Sequence, residues 1–151
     1  MEEAFQLRAM LEAYAARRAA SRISWDQLAR LRSHNDAIHQ AITASTPDIP
    51  KFLDHNRQFH AIVLEASGSE RLTGMLAQVI EQPVVLRTAR QYDMENLKRS
   101  HHEHDELLIA FDNRDGEWAA AVMTGHIRRA FHAYAAAHSS DTEIRRTDEA
   151  A

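Results

Sequence analysis

Apolar residues recur along this chain at intervals of three and four positions, and no segment alternates apolar and polar residues as a half-buried strand does. This spacing is typical of amphipathic α-helices. It predicts six helices: one over residues 2–20, a second that begins at residue 24, a third from about residue 50 to residue 66, a fourth that carries Leu72 to Leu86 and ends at Arg87 and Arg90, and two over residues 96–112 and 115–137. Because the chain has no internal repeat and no low-complexity tract, the pattern indicates one compact all-α bundle.

Local signals mark several of the predicted helix ends. Ser24 begins a Ser-x-x-Gln capping box, and Gly68 suits the left-handed residue that follows a helix. Pro83 falls inside the predicted fourth helix, where its missing amide hydrogen predicts a kink. Residues 139–151 are polar, so we expect a frayed C-terminal tail after a domain of residues 1–138.

Composition narrows the class of protein. A chain of 151 residues with 44% hydrophobic and 26% charged positions is of ordinary size and balance for one globular domain. The absence of cysteine excludes disulfides, thiol catalysis and cysteine-bound zinc or iron–sulfur clusters. The ten histidines are the unusual feature of the composition.

Charge and hydropathy bear on partners and location. The formal net charge of −4 argues against direct DNA or RNA binding by this part of the protein, since phosphate recognition needs a basic face. No apolar run reaches the roughly eighteen residues that a membrane span needs, and the acidic N-terminus is unlike a signal peptide. We therefore expect a cytoplasmic protein that does not enter the membrane.

Three histidines fall on apolar stripes of three different helices. His60 lies one turn after Asn56, so both side chains project from one side of the third helix. His104 and His126 occupy stripe positions in the fifth and sixth helices, and His101 shares the spacing of His104. Neutral imidazole is a common ligand of zinc and other first-row metals, so these residues are candidate metal ligands. Asn56 would add only an amide oxygen, a weaker donor than a carboxylate.

Other interpretations of these residues remain open at this point. A histidine on an apolar stripe is more often a hydrogen-bonded core residue than a metal ligand, and the chain would then be a plain helical interaction module. Three histidines and a water molecule can also activate a nucleophile in a hydrolase or lyase. No acidic residue shares the stripe of Asn56 and His60 to serve as a base. The remaining histidines are interpreted as solvated: His34, His39, His55, His102, His132 and His138.

Three arginines are the other residues for which a functional role can be considered. Arg8 precedes Glu12 by four residues, which favours an ordinary surface ion pair. Arg87 and Arg90 end the predicted fourth helix, where cations suit the negative helix end. One of them could instead face the interior and bind a carboxylate with both arms of its guanidinium group.

Several short segments, taken in order, carry a family resemblance. They are LRAMLE at residues 7–12, NRQFH at 56–60, EASG at 65–68, EH at 103–104 followed by LLIA at 107–110, RD at 114–115 and MTGHI at 123–127. In this order and spacing the chain resembles the FCD domain, the effector domain of GntR-type transcription regulators, over about residues 5–131.

The resemblance implies an antiparallel helical bundle that encloses a ligand and metal pocket and has no enzymatic activity. Its metal ligands map onto Asn56, His60, His104 and His126, with zinc as the expected ion and nickel or manganese as alternatives. The expected effector is a small organic acid, and Arg8 and Arg87 match basic positions suited to its carboxylate. The resemblance also implies a homodimer. DNA binding would then require an N-terminal winged helix-turn-helix domain, which we expect to be absent from this chain.

Overall fold

The computed structural model describes residues 2–80 and 93–149. These residues form six α-helices and no strands: α1 (Glu2–Arg22), α2 (Trp25–Thr43), α3 (Ile49–Ser67), α4 (Glu70–Val79), α5 (Met94–Asp112) and α6 (Gly116–Glu149). The all-α prediction is confirmed. None of these helices combines the length and the apolar character that crossing a bilayer requires.

The predicted capping signals are present. The Ser24 hydroxyl accepts a hydrogen bond from the Gln27 amide at 3.1 Å, and the Gln27 side chain accepts one from the Ser24 amide at 3.0 Å. Gly68 ends α3 in the left-handed region at φ 64°. Asp115 accepts a hydrogen bond from the Trp118 amide at 2.9 Å, which caps the start of α6.

Two predicted helix ends are wrong. Helix α4 ends at Val79, where Ile80 becomes extended, and therefore before the predicted end at Arg87 and Arg90. Because a proline at position 83 cannot donate a hydrogen bond to the carbonyl of residue 79, the helix ends where that bond would be missing. The predicted kink at Pro83, like Leu86, lies outside the described residues. Helix α6 continues to Glu149, so the backbone of the polar segment is helical rather than frayed as far as that residue. No glycine or proline follows Gly125 to end it.

Contacts between the helices establish an antiparallel bundle. Helix α2 lies against α3 and α5, and α6 lies against α1 and α5. Phe5 and Arg17 of α1 contact Phe131 and Glu117 of α6, so these helices are antiparallel. Arg32 and His39 of α2 contact Asp112 and His101 of α5, which makes that pair antiparallel too. Two further pairs of contacts show α3 parallel to α1, through Glu12–His60 and Arg18–Ser67, and α5 antiparallel to α6, through Glu106–Trp118 and Asn96–Arg129. Helices α1, α3 and α5 therefore run in one direction and α2 and α6 in the other, with α4 packed against α1.

The bundle has a central core with smaller apolar groups beside it. Phe59, Phe111 and Met123 lie in the centre and are almost completely buried. A second group around Phe52 and Leu97 fills one end. Most of the buried side chains are aliphatic or aromatic, so the few polar side chains buried among them need partners.

Candidate metal centre and ligand pocket

Three histidines from three helices meet in the middle of the bundle. His60 comes from α3, His104 from α5 and His126 from α6, and one ring nitrogen of each lies within 4.8 Å of the others. His104 and His126 are buried, and only 11% of the His60 side chain is exposed. The structure thus brings together the three histidines that the apolar stripes singled out.

Two glutamates orient two of these rings. The Nδ1 of His60 donates a hydrogen bond to Oε2 of Glu12 at 2.6 Å, and the Nδ1 of His126 donates one to Oε2 of Glu103 at 2.5 Å. A carboxylate oxygen can only accept here, so both Nδ1 atoms carry a proton. In the neutral rings both Nε2 atoms are consequently left with a free lone pair.

These two lone pairs point at each other. The Nε2 atoms of His60 and His126 are 3.2 Å apart, and the rings meet edge to edge, with planes 20° from parallel and centroids 5.2 Å apart. Two acceptor nitrogens at this distance repel unless a cation lies between them. Either a proton or a metal ion satisfies that requirement.

The environment of His104 favours a metal ion over a proton at this position. Its ring is completely buried and stacks on Phe59 with centroids 4.0 Å apart. Neither of its nitrogens has a hydrogen-bond partner in the described part of the chain. Because an unpaired buried polar atom costs about 1–3 kcal/mol, such a ring fits a metal ligand better than a core histidine. Burial, reinforced by His126 and His60, lowers the pKa of His104 well below its ordinary value, which keeps the ring neutral and able to coordinate.

The glutamates are themselves paired with arginines. Arg8 donates to Glu12 at 2.7 Å, and Arg129 donates to Glu103 through two nitrogens at 2.8 and 2.7 Å. Burial alone would raise the pKa of Glu12, but Arg8 and His60 outweigh it and hold that pKa well below the usual range. Burial likewise opposes ionisation of Glu103, while Arg129 and His126 bring its pKa down to about 2. Both carboxylates are therefore ionised at neutral pH.

The donor set fits a divalent metal. Zinc–nitrogen bonds of about 2.0–2.1 Å in a tetrahedral arrangement separate two nitrogens by roughly 3.3 Å, close to the distance between His60 and His126. Carboxylates behind ligating histidines are a common means of fixing the ring and its tautomer in zinc sites. Burial lowers the pKa of His126, and the hydrogen bond to Glu103 opposes that shift, so this ring too can serve as a neutral ligand.

A cavity of about 770 Å³ opens beside the histidines, between α1, α3 and α4. Arg8, Asn56 and His60 line it. The Asn56 amide forms no hydrogen bond with another described residue. Arg87, the other predicted arginine, lies outside the described residues, as does Arg90.

The sequence interpretation missed Glu12 and Glu103. The pair of Arg8 and Glu12 exists, but with side-chain exposures of 13% and 6% it is buried rather than on the surface. A signal was available, because Glu12 continues the buried stripe of Phe5 and Ala9 along α1, and a charge on such a stripe needs a partner. Glu103 has no comparable signal, since it lies beside the stripe of its own helix.

The other histidines divide into two groups. His101 is held through both nitrogens, by Asn35 at 3.1 Å and by Asp105 at 3.4 Å, and takes no part in the three-histidine cluster. His34 and His55 were interpreted as solvated and without partners, which is wrong, since their Nδ1 atoms lie 2.9 Å apart. The ring of His39 is 4.9 Å from that of His101. His102 and His132 are exposed, and the side chain of His138 lies outside the described part.

Comparisons with known proteins agree on one family of regulators. The FCD domain family matches residues 3–129. The Nta operon transcriptional regulator of Aminobacter aminovorans is 26% identical over 127 residues, which cover 84% of this chain and 58% of that protein. A solved structure, Streptococcus agalactiae GntR, superimposes on this chain with a TM-score of 0.64 at 27% sequence identity. The match covers 84% of this chain and 55% of the GntR chain. The chain thus spans a little more than half of the length of each of these two relatives.

Proposed function

This chain belongs to the FCD domain family, the regulatory and non-enzymatic effector domains of GntR-type transcription regulators, and we propose on that premise that it senses a small carboxylate beside a metal ion held by His60, His104 and His126. The observation that carries the proposal is the buried His104 ring, whose two nitrogens have no hydrogen-bond partner among the described residues, next to the facing Nε2 atoms of His60 and His126.

The proposed ion is zinc, because three neutral imidazoles suit it and no hard carboxylate ligand is in the set. Nickel and manganese are the alternatives that metal analysis would distinguish. Asn56 is the proposed fourth ligand through its amide oxygen, a weak donor that an effector oxygen can replace. When bound, the ion supplies a Lewis-acid position for one carboxylate oxygen of the effector.

Arg8 is the proposed partner of the effector's carboxylate. Its Nε is committed to Glu12, whereas its two terminal amino groups have no partner in the described residues and lie at the cavity. A guanidinium group with two free amino groups can bind a carboxylate through parallel hydrogen bonds. Arg87 remains a second candidate for this role.

The hydrogen bonds and the lowered pKa of Glu12 disfavour a hydrolase or lyase at this site. Both of its oxygens are occupied, one by Arg8 and the other by His60. A carboxylate whose pKa lies well below the usual range is also a poor proton acceptor near neutral pH. Glu12 therefore orients His60 and supplies charge, and does not act as a general base.

We propose that DNA binding and dimer formation complete the function in the cytoplasm. The net charge of −4 supports the proposal that a domain other than this one contacts the DNA, since phosphate recognition needs a basic face. Helix α1 leaves Leu7, Met10 and Tyr14 exposed on one side, and Met10 is 70% exposed. An exposed apolar stripe of this kind suits a second copy of the chain. Light scattering on Met10→Glu, which should be monomeric if the stripe is the dimer interface, tests this part.

Metal analysis tests the site. Wild-type protein purified without chelator should contain about one equivalent of metal, whereas His104→Ala and His126→Ala should contain almost none. The matched control is His102→Ala, an exposed histidine two residues from His104 on the same helix. Equal and near-zero occupancy in all four proteins would refute the metal site, and saturable stabilisation by a small carboxylate without turnover would support a sensor.

A further inference from the structure

Among the described residues, most polar side chains that line the cavity already have partners within the protein. Glu12 is bound by Arg8 and His60, and Asp54 is bound by Arg57 at 2.8 Å and by Gln58 at 2.9 Å. These groups are therefore not available to a ligand.

Among the described residues, the polar groups that remain available lie at one end of the cavity, and Arg57, next to Asn56 in α3, adds there the guanidinium nitrogens that do not bind Asp54. Contacts of Glu12 with His60 and of Arg18 with Ser67 show that α1 and α3 run parallel and in step. Arg8 and Asn56 each precede one member of the pair Glu12–His60 by four residues. They lie at the same level of the bundle, one turn from the histidine cluster. The Arg8 amino groups and the Asn56 amide can therefore form hydrogen bonds with the same end of a bound ligand.

The rest of the wall is mainly aliphatic. Its described residues include Leu53 and Leu64 of α3 and Leu76, Ala77 and Ile80 at α4, while the hydroxyl of Thr73 donates to the Ser69 carbonyl at 3.1 Å. A second carboxylate or a row of hydroxyl groups placed against these side chains would lose water without gaining hydrogen bonds. An apolar group placed there gains affinity by leaving water.

We propose that the effector is a monocarboxylate with an apolar body, bound with its acid group at Arg8 and Asn56 and its hydrocarbon part along Leu64, Leu76 and Ile80. This inference rests on the proposed sensing function and adds the class of acid. A cavity of about 770 Å³ accommodates a body of several carbon atoms. Dicarboxylates and polyhydroxy acids are the classes that it disfavours.

A six-carbon series tests this class. Hexanoate, adipate and gluconate have the same chain length but differ in a second carboxylate or in hydroxyl groups, and their affinities for the zinc-loaded chain can be measured by calorimetry. We expect hexanoate to bind at least tenfold more tightly than the other two. Lengthening the acid from butanoate to hexanoate should improve affinity about fourfold per methylene group.

Two variants locate the apolar body. Ala77→Glu places a charge at the cavity wall on a residue that is exposed enough to accept it, and Gln78→Glu places the same charge on the next, exposed position of α4 that does not line the cavity. We expect the first to lose hexanoate binding at least tenfold and the second to change it less than twofold, with the metal content of both unaltered.

The possible failures are distinguishable. If none of the acids binds, the proposed sensing of carboxylates fails and this inference fails with it. If adipate or gluconate binds as tightly as hexanoate, the apolar body is refuted while the sensing function stands. Equal affinities of Ala77→Glu and Gln78→Glu for hexanoate would refute the location along α4.

Discussion

Glu12 and His60 are joined by a hydrogen bond of 2.6 Å between Oε2 and Nδ1, although 48 residues separate them in the chain. Glu103 and His126 form the same contact on the opposite side of the cluster. Each glutamate is in turn bound by an arginine, so two arginine–glutamate–histidine chains end at the facing Nε2 atoms. This arrangement determines which nitrogen of each ring faces the proposed metal.

Replacing Glu12 with glutamine should weaken metal binding about 10–100-fold, the usual effect of losing such a supporting carboxylate. The amide keeps the shape of the side chain but removes the charge that favours His60 as a ligand and balances Arg8. Competition with a chromophoric chelator measures the affinity. Glu117→Gln is the matched control, because Glu117 also pairs with an arginine but is 81% exposed. An unchanged affinity in Glu12→Gln would show that the carboxylate does not support the metal.

Replacing His104 with phenylalanine should make the protein insensitive to metal while preserving its fold. The new ring can keep the stacking on Phe59, and two unpaired buried nitrogens disappear, so the metal-free variant should exceed metal-free wild type in stability by about 1–3 kcal/mol. Zinc at 100 times its dissociation constant should stabilise wild type by about 2.7 kcal/mol and leave the variant unchanged. Urea unfolding with and without chelator provides both comparisons, and a zinc-dependent shift in the variant would contradict the assigned role.

Two glycines should respond in opposite directions to alanine. Gly68 has φ +64°, and an added Cβ would lie 2.8 Å from Nε of Arg22, so Gly68→Ala should destabilise the protein by about 1–2 kcal/mol. Gly74 lies within α4 with open space around it, so Gly74→Ala should stabilise the protein by up to about 1 kcal/mol. Thermal or urea unfolding of the two variants side by side measures the difference. Equal effects would contradict the left-handed cap at Gly68.

The contact between His34 and His55 should make the bundle sensitive to acid. Burial lowers the pKa of His34, and His55 and Arg30 lower it further against the opposing effect of Asp54. Since the unfolded chain then binds a proton more readily than the folded one, this contribution is fully present above pH 6.5 and is lost as the pH falls below that value.

His34→Gln should therefore lose less stability than wild type between pH 7.5 and pH 5.5. Unfolding is measured in chelator so that metal release does not contribute, and His132→Gln, at an exposed histidine of α6, is the control. An identical pH dependence in wild type and His34→Gln would show that the pair does not sense protons.

The helix boundaries show which ends can be predicted from nearby residues and which cannot. Ser24, Gly68 and Asp115 mark helix ends through hydrogen bonds to residues within one turn, and the patterns that predicted them are found in the structure. The ends of α4 and α6 were misplaced because the hydrophobic pattern continues past Val79 and stops before Glu149. Hydrophobicity reports burial, whereas a helix ends where backbone hydrogen bonding ends.

The residues of the candidate site likewise fall into those that the sequence identified and those that only the packing of the helices revealed. His60, His104 and His126 could be singled out in the sequence because a polar residue on an apolar stripe points towards the core, whatever helix faces it. Which residue meets each histidine depends on how helices distant in sequence pack, and so the pairing of Glu12 with His60 was missed. The linear pattern of the chain therefore established the six helices and the three inward-pointing histidines. Tertiary packing decided that Arg8 and Glu12 are buried, that Glu103 orients His126, and that the remaining polar groups of the cavity lie at one end, because each of these depends on the relative position of separate helices.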